Sequence, residues 1–307
     1  MLARLLGKLA LLASPFALIA AVVFAVDPYN RVGSHLVSDA VKRRSAAALN
    51  PVLWNLSRFD AEPRPWVLLG DSRMGNVLED SVAARVGMPV ANLSFGGASL
   101  DEVTQAFWIA DARTRLSAVD IAIGFSQYSD YEHSDRTALY RTITAQPLLY
   151  FVSRTVLRAT ALTVLAAREG APPMGRPHDR EQFWAAQEEA YGDHLFRVYR
   201  HPDQYQKELG RIAERCRARG IRLRFIVFPT HASLRARMTP FGLDAEFTRF
   251  KRELAAIAPT LDFDQDNEMT RGRENFADPV HVTAEVNRRL LDEIWSAPGA
   301  SRQSPAP

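Results

Sequence analysis

The chain has a single cysteine, Cys216, so no intramolecular disulfide can form and no cage of thiolates can hold a metal. It also lacks any sustained run of like charge. Lys and Arg number 38 against 35 Asp and Glu, a formal net charge of +3 over 307 residues, and the arginines are scattered. That pattern leaves no footprint for nucleic acid. Histidines at metal-ligand spacing are missing too: His178, His194 and His201 stand apart in a polar region and read as surface residues. A disordered chain is excluded by 47% apolar and 24% charged residues, enough for one sizeable α/β core or one domain with an insertion.

A long hydrophobic run occurs at the start, over 9–26, interrupted only by Ser14 and Pro15 and preceded by Arg4 and Lys8. As a helix it would extend roughly 27 Å at 1.5 Å per residue, close to a hydrocarbon core of about 30 Å. It has no polar face, which disfavours a buried globular helix. The expectation is an N-terminal transmembrane helix over 1–26, with the positive residues cytoplasmic and the remainder exported. A cleaved signal peptide, ending near Val23-Phe24-Ala25, is the competing reading. Residues 27–63 then read as a stalk or linker, closed by Pro63 and Pro65, and 297–307 as a disordered Pro/Ser-rich tail.

The chain is organised around Trp66-Val67-Leu68-Leu69-Gly70-Asp71-Ser72-Arg73. Four apolar residues followed at once by Gly and a polar pair predict a buried strand that stops at its carboxyl end. In an open α/β sheet that end faces the ligand crevice, which makes Ser72 a candidate nucleophile. A second apolar run, 89–94, contains Asn92 and leads into Phe95-Gly96-Gly97. Late in the chain Asp278-Pro279-Val280-His281 supplies a carboxylate and an imidazole three residues apart. A serine hydroxyl needs such a base, and the base needs a carboxylate to hold its second ring nitrogen.

These blocks resemble the SGNH, or GDSL, hydrolases over roughly 64–296. That family has Gly-Asp-Ser after its first strand, a Gly a few residues after an Asn at the second, and Asp-x-x-His near the C-terminus. The resemblance implies a three-layer α/β/α, flavodoxin-like fold with a mostly parallel five-stranded sheet. It implies Ser72, His281 and Asp278 as catalytic residues, no cofactor and no metal. It also implies an oxyanion site from the N–H groups of Ser72 and Gly97, with Gly96 an equally small neighbour. Gly97 suits close backbone approach to an oxyanion, where a Cβ would intrude. The third block departs from the family: Gly-x-Asn-Asp is replaced by Gly124-Phe125-Ser126-Gln127, leaving Gln127 or Ser126 where the third donor would be. Asn92, Arg73 and His231, the last in a loop after a strand over 221–228, are candidate substrate contacts. Asp71 reads as a turn or capping residue.

Between these blocks the pattern predicts helices over 77–87, 99–116, 203–219, 244–257 and 282–296, and further strands over 119–124 and 261–263. Ser99 followed by Glu102 predicts a capping box. Residues 128–200 do not fit a βα repeat and read as a helical insertion: an apolar helical stretch over 138–168, a Gly/Pro-rich break at 170–177 and an aromatic, acidic stretch over 183–199. Such an insertion would overhang the site or form a layer against the sheet or membrane. Membrane-anchored SGNH-like proteins of envelope polysaccharide modification are similar in layout. The expected function is therefore ester hydrolysis or O-acyl transfer on an envelope glycan in the periplasm, beside a multi-pass membrane acyltransferase. A catalytically silent glycan-binding or scaffold subunit is the rival.

Overall fold

Short apolar runs separated by helices become the strands of one sheet in the computed structural model, which describes residues 2–131, 133–169 and 179–295. The expected break at 170–177, His178 and the tail at 297–307 lie outside the described residues. Strands β1 (Trp66–Leu69), β2 (Val90–Asn92), β3 (Ala118–Ala122), β4 (Arg222–Val227) and β5 (Thr260–Asp262) pair in the order β2-β1-β3-β4-β5. Every pair is parallel. This is the 2-1-3-4-5 order of flavodoxin-like sheets, whose ligands bind outside the carboxyl ends of the strands where the order reverses, between β1 and β3.

Alternation along the strands divides the core. Trp66, Leu68, Ala118 and Ile226 pack with Val82, Val286, Leu290 and Trp295, which come from the helices Glu79–Val86 and Ala284–Trp295. The alternate positions Val67, Leu69, Val119, Ile121 and Phe225 are completely buried toward the opposite face. Cys216 is buried in the helix Asp203–Arg219, and burial pushes its thiol up to about 12, so it carries no thiolate. The capping box forms: Ser99 Oγ accepts from Glu102 N at 3.3 Å and Glu102 Oε2 accepts from Ser99 N at 3.0 Å. That helix runs Leu100–Arg113.

One polar cluster crosses the sheet interior. Asp120, fully buried on β3, accepts from Arg224 Nε at 2.8 Å and Nη2 at 3.0 Å, from Trp66 Nε1 at 2.9 Å and from Trp295 Nε1 at 2.8 Å. Arg224 is its register neighbour on β4 and also donates to Ile294 O at 3.0 Å. The buried carboxylate thus ties three strands' worth of chain to the last helix.

The described residues fall into two compact units, 2–62 with 136–169, and 63–135 with 179–295. The first unit is helical. Residues expected as a stalk form the helix Pro51–Ala61, whose N-cap Asn50 accepts from Leu53 N at 2.9 Å. Before it, buried Asp27 gathers the N–H groups of Arg31, Val32, Gly33 and Ser34 and the Tyr150 hydroxyl around its carboxylate. The stretch expected as one helix over 138–168 is broken into Ala138–Ala145, a 3₁₀ turn Pro147–Phe151 and Arg154–Glu169, because Pro147 cannot continue a helix. The rest of the expected insertion, from 179, belongs to the second unit as the helix Arg180–Gln187 and the π-helix Glu188–Leu195.

Two expectations change. His201 is not a surface residue: its side chain is 15% exposed and lies 3.0 Å from Glu246 Oε2. Residues 2–26 form a 25-residue α-helix, with Leu11, Leu12, Phe16 and Leu18 exposed. Among the described residues no helix is long and apolar enough to cross a membrane, and the transmembrane helix expected over 1–26 is not found among them.

Candidate active site

β1 ends at Leu69, and the backbone turns at Gly70 with φ of +154°. A Cβ there would lie 2.8 Å from Ala122 Cβ on β3, so only glycine lets the turn nest against the neighbouring strand. Asp71 then caps the short helix Ser72–Gly75, its carboxylate accepting from Arg73 N at 3.0 Å. This leaves Ser72 as the first helical residue, half-buried at the strand's carboxyl end.

The base arrives from the opposite end of the chain. Strands β6 (Phe276–Asp278) and β7 (His281–Val282) form a small antiparallel hairpin in which Asp278 faces His281. Asp278 Oδ1 accepts from Val280 N at 2.9 Å and His281 N at 3.0 Å, while Oδ2 lies 2.8 Å from His281 Nδ1. His281 Nε2 is 2.7 Å from Ser72 Oγ. A carboxylate can only accept, so Nδ1 carries the proton and Nε2 accepts from the Ser72 hydroxyl. Asp278 is buried and His281 is 23% exposed, so the line runs from protein interior to solvent. The hairpin is pinned by His231 N–H to Pro279 O at 2.8 Å and by Arg180 Nη2 to Phe276 O at 2.7 Å.

The remaining predicted residues divide. Gly97 lines a cavity of about 130 Å³ together with Asp71, Ser99, Ser126, Gln127 and Tyr191. Its φ is +60°, which requires glycine, whereas a Cβ there would meet nothing within 4 Å. The left-handed turn by itself requires the glycine, and no protein atom crowds the position; Gly96 has neither constraint. Gln127 donates through Nε2 to Ala98 O at 2.6 Å, holding the Gly97 loop. Ser126 lies on the same wall.

Asn92 is not presented to substrate. It is buried, donates to Met74 O at 2.8 Å and Val77 O at 2.9 Å, and accepts from Ser94 N at 3.0 Å. It braces the turn behind Ser72. His231 caps the helix Ala232–Ala236 through Nδ1, which accepts from Ser233 N at 3.1 Å, and its ring packs edge-on to Trp184 and Phe276. It lines neither the cavity that Asp71 borders nor the one that Arg73 and His281 border. Arg73 is engaged by Asp71 through Nε at 3.1 Å and Nη2 at 2.6 Å. Its guanidinium lies across Gly124, where a Cβ would stand 1.9 Å from Nη2. Arg73 therefore walls a second cavity with its charge already matched. Burial pushes the Asp71 carboxyl up, but the charge and hydrogen bonds of Arg73 more than offset this and hold it below the usual carboxylate range.

Two features were not read from sequence. Gly124 owes its size to Arg73, a contact invisible without the fold. Tyr191 reaches the smaller cavity from the π-helix, and burial, followed by the Asp71 charge, raises its phenol so that it stays a neutral donor. Its only sequence signal was its place in the aromatic, acidic stretch. Among the described residues no cluster of His, Cys, Asp and Glu is arranged to hold a metal ion.

No protein-family model matches the sequence, and no curated protein is similar to it. Solved structures resemble it in layout. A Bacteroides fragilis protein named as an acylhydrolase is 13% identical, with 77% of this chain and 90% of that one covered at a TM-score of 0.39. A Desulfitobacterium hafniense protein named as lipolytic and of the G-D-S-L family is 12% identical, with 75% and 97% covered at 0.35. At TM-scores this low neither likeness bears on the reaction.

Proposed function

We propose that this protein is a serine-dependent acyl-transfer enzyme of SGNH type, working by ester hydrolysis or O-acyl transfer, with O-acetyl groups on a cell-envelope glycan as its substrates. The observation that carries the reading is the line from Ser72 Oγ to His281 Nε2 at 2.7 Å and from Nδ1 to Asp278 Oδ2 at 2.8 Å. His281 takes the Ser72 proton as Oγ attacks the ester carbonyl, and Asp278 stabilises the resulting imidazolium. The N–H groups of Ser72 and Gly97 receive the developing oxyanion, with Gln127 keeping the Gly97 loop in place. His281 then protonates the leaving oxygen. Water or a glycan hydroxyl, deprotonated by the same imidazole, releases the acyl group from Ser72.

The same proposal puts the enzyme at the inner membrane with its second unit in the periplasm, and beside a multi-pass membrane O-acyltransferase as partner. Its supports are Arg4 and Lys8 ahead of the apolar run, the exposed apolar side chains of the first helix and the resemblance in layout. A fluorophosphonate probe tests the chemistry. It should label Ser72 in the wild type, fail with Ser72→Ala and react far more slowly with His281→Ala. The silent-subunit reading, which the replaced third block favours, predicts no labelling and an intact polysaccharide phenotype in Ser72→Ala cells; both together would overturn the enzyme.

A further inference from the structure

Asp71 and Arg73, either side of Ser72 in sequence, line two different cavities. Asp71 faces the smaller one, of about 130 Å³, with Gly97, Ser99, Ser126, Gln127 and Tyr191. Arg73 faces one of about 250 Å³ with His281, Asn76, Asn287, Phe228 and Val282. The two walls differ in chemistry. The first mixes the apolar surfaces of Ala98, Leu195, Tyr131 and Tyr191 with the hydroxyls of Ser99, Ser126 and Ser129 and the amide of Gln127. The second combines apolar surface with two side-chain amides, Asn76 and Asn287, that have no hydrogen-bond partner among the described residues.

From this division we infer that the His281 side is an acceptor site for a single pyranose ring, and the Gly97 side a pocket for a short acyl group. The inference rests on the serine mechanism proposed above. In that mechanism the proton passes between His281 and the oxygen that leaves or attacks, so the group bearing that oxygen occupies the cavity His281 lines. The carbonyl oxygen points to the Gly97 N–H, and the acyl remainder, turned away from His281, enters the cavity that Gly97 lines. Size agrees with the assignment. A cavity of about 150 Å³ holds the six carbons of benzene, so on that scale the two take roughly five and roughly ten heavy atoms. Five suits acetyl to butyryl; ten suits one sugar ring. A pyranose has apolar C–H faces and a rim of hydroxyls, which Phe228 with Val282 and the amides of Asn76 with Asn287 respectively match. In the transfer step a sugar hydroxyl gives its proton to His281 Nε2 as its oxygen bonds the acyl carbon. The bond from that carbon to Ser72 Oγ breaks, and Oγ takes the proton back from His281.

The test measures how one acyl-enzyme divides between water and sugar. The full-length protein is supplied with p-nitrophenyl acetate and a panel of methyl pyranosides, and acetyl-pyranoside and acetate are quantified by mass spectrometry. Wild type should form acetyl-pyranoside, with the ratio to acetate saturating as sugar is raised. The Asn76→Ala, Asn287→Ala double variant should lower that ratio about tenfold, the scale for losing two hydrogen bonds. Ala284→Trp, which fills the same cavity, should lower it as well. Because the ratio is set after acylation, it does not depend on how fast either variant is acylated. Release of p-nitrophenol with acetate alone, or a ratio that neither variant moves, would sink the acceptor site and leave the serine mechanism standing. No release and no Ser72 labelling would remove the mechanism and the acceptor site with it.

Discussion

Asp120 and Asp71 are both carboxylates clamped by an arginine, one in the middle of β3 and the other just past the end of β1. The partners of Asp120 come from three distant segments, Trp66 on β1, Arg224 on β4 and Trp295 on the last helix, and its side chain is 1% exposed. The partner of Asp71 is two residues away, and its side chain is 15% exposed at a cavity wall. In the first case the carboxylate and its partners join β1, β3, β4 and the last helix. In the second it shapes one turn and leaves the neighbouring Ser72 accessible. Sheet middles spend polar groups on closure, and strand ends keep them at the edge of a cavity.

The comparison can be broken at its strongest point. Ser72→Ala should lower turnover by about 10⁴ or more with the melting temperature unchanged, and His281→Ala should match it, because the two act as one unit. The double variant should be hardly worse than either. A large loss of stability in Ser72→Ala would mean that the strand end also serves closure.

Asp120→Ala tests the other side. Removing one member of a buried pair leaves Arg224 uncompensated, for an expected loss of about 3–5 kcal/mol in chemical denaturation. The fraction that remains folded should keep its rate of Ser72 labelling. Asp71→Ala sharpens the contrast: losing the N-cap costs about 0.5–2 kcal/mol, and Arg73, left unmatched, lies at the wall of an open cavity where water reaches it, whereas Arg224 loses its partner inside the sheet. Turnover should fall roughly tenfold, as expected when a nucleophile is displaced by a fraction of an ångström. Equal destabilisation by Asp71→Ala and Asp120→Ala would erase the distinction between the two carboxylates.

The smallest effect concerns His231, at the end of β4 and yet packed like an interior residue. Burial lowers its pKa from the ordinary histidine value of 6.5. The folded state therefore binds fewer protons than the unfolded state, and stability rises with pH through this window. Its contribution is fully present above the unfolded pKa and is lost as pH falls through the lower, folded one. Denaturation of His231→Gln between pH 7 and pH 5, an interval of about two pH units around the free imidazole value, should show a flatter pH slope than wild type. An unchanged slope would assign the titration to another group.

Much of this was readable because it is local. The runs before Gly70 and Asn92, the Ser99 cap with Glu102, and Asp278 three residues from His281 all depend on contacts within a turn or two of chain. Other elements were read with errors of the same origin. Pro147 splits a helix that apolar periodicity joined, and the hairpin of β6 and β7 is too short for its own pattern. Asn92 through the second block, Arg73 through its charge and His231 through its place after a strand read as substrate contacts, yet each side chain is held by a neighbour of its own.

What the sequence determined by itself was the five strands of the parallel sheet, the turn after β1 that carries Ser72 and the local pairing of Asp278 with His281. Backbone sterics and hydrogen bonds over a few residues suffice for these. What only the tertiary structure decided was the meeting of Ser72 with His281 across 209 residues, the closure of β3 around Asp120, and the placing of Arg73 over Gly124 and of Tyr191 beside Gly97. Those depend on the strand order, because a parallel sheet brings the carboxyl ends of distant strands to one edge, and no local preference encodes which ends become neighbours.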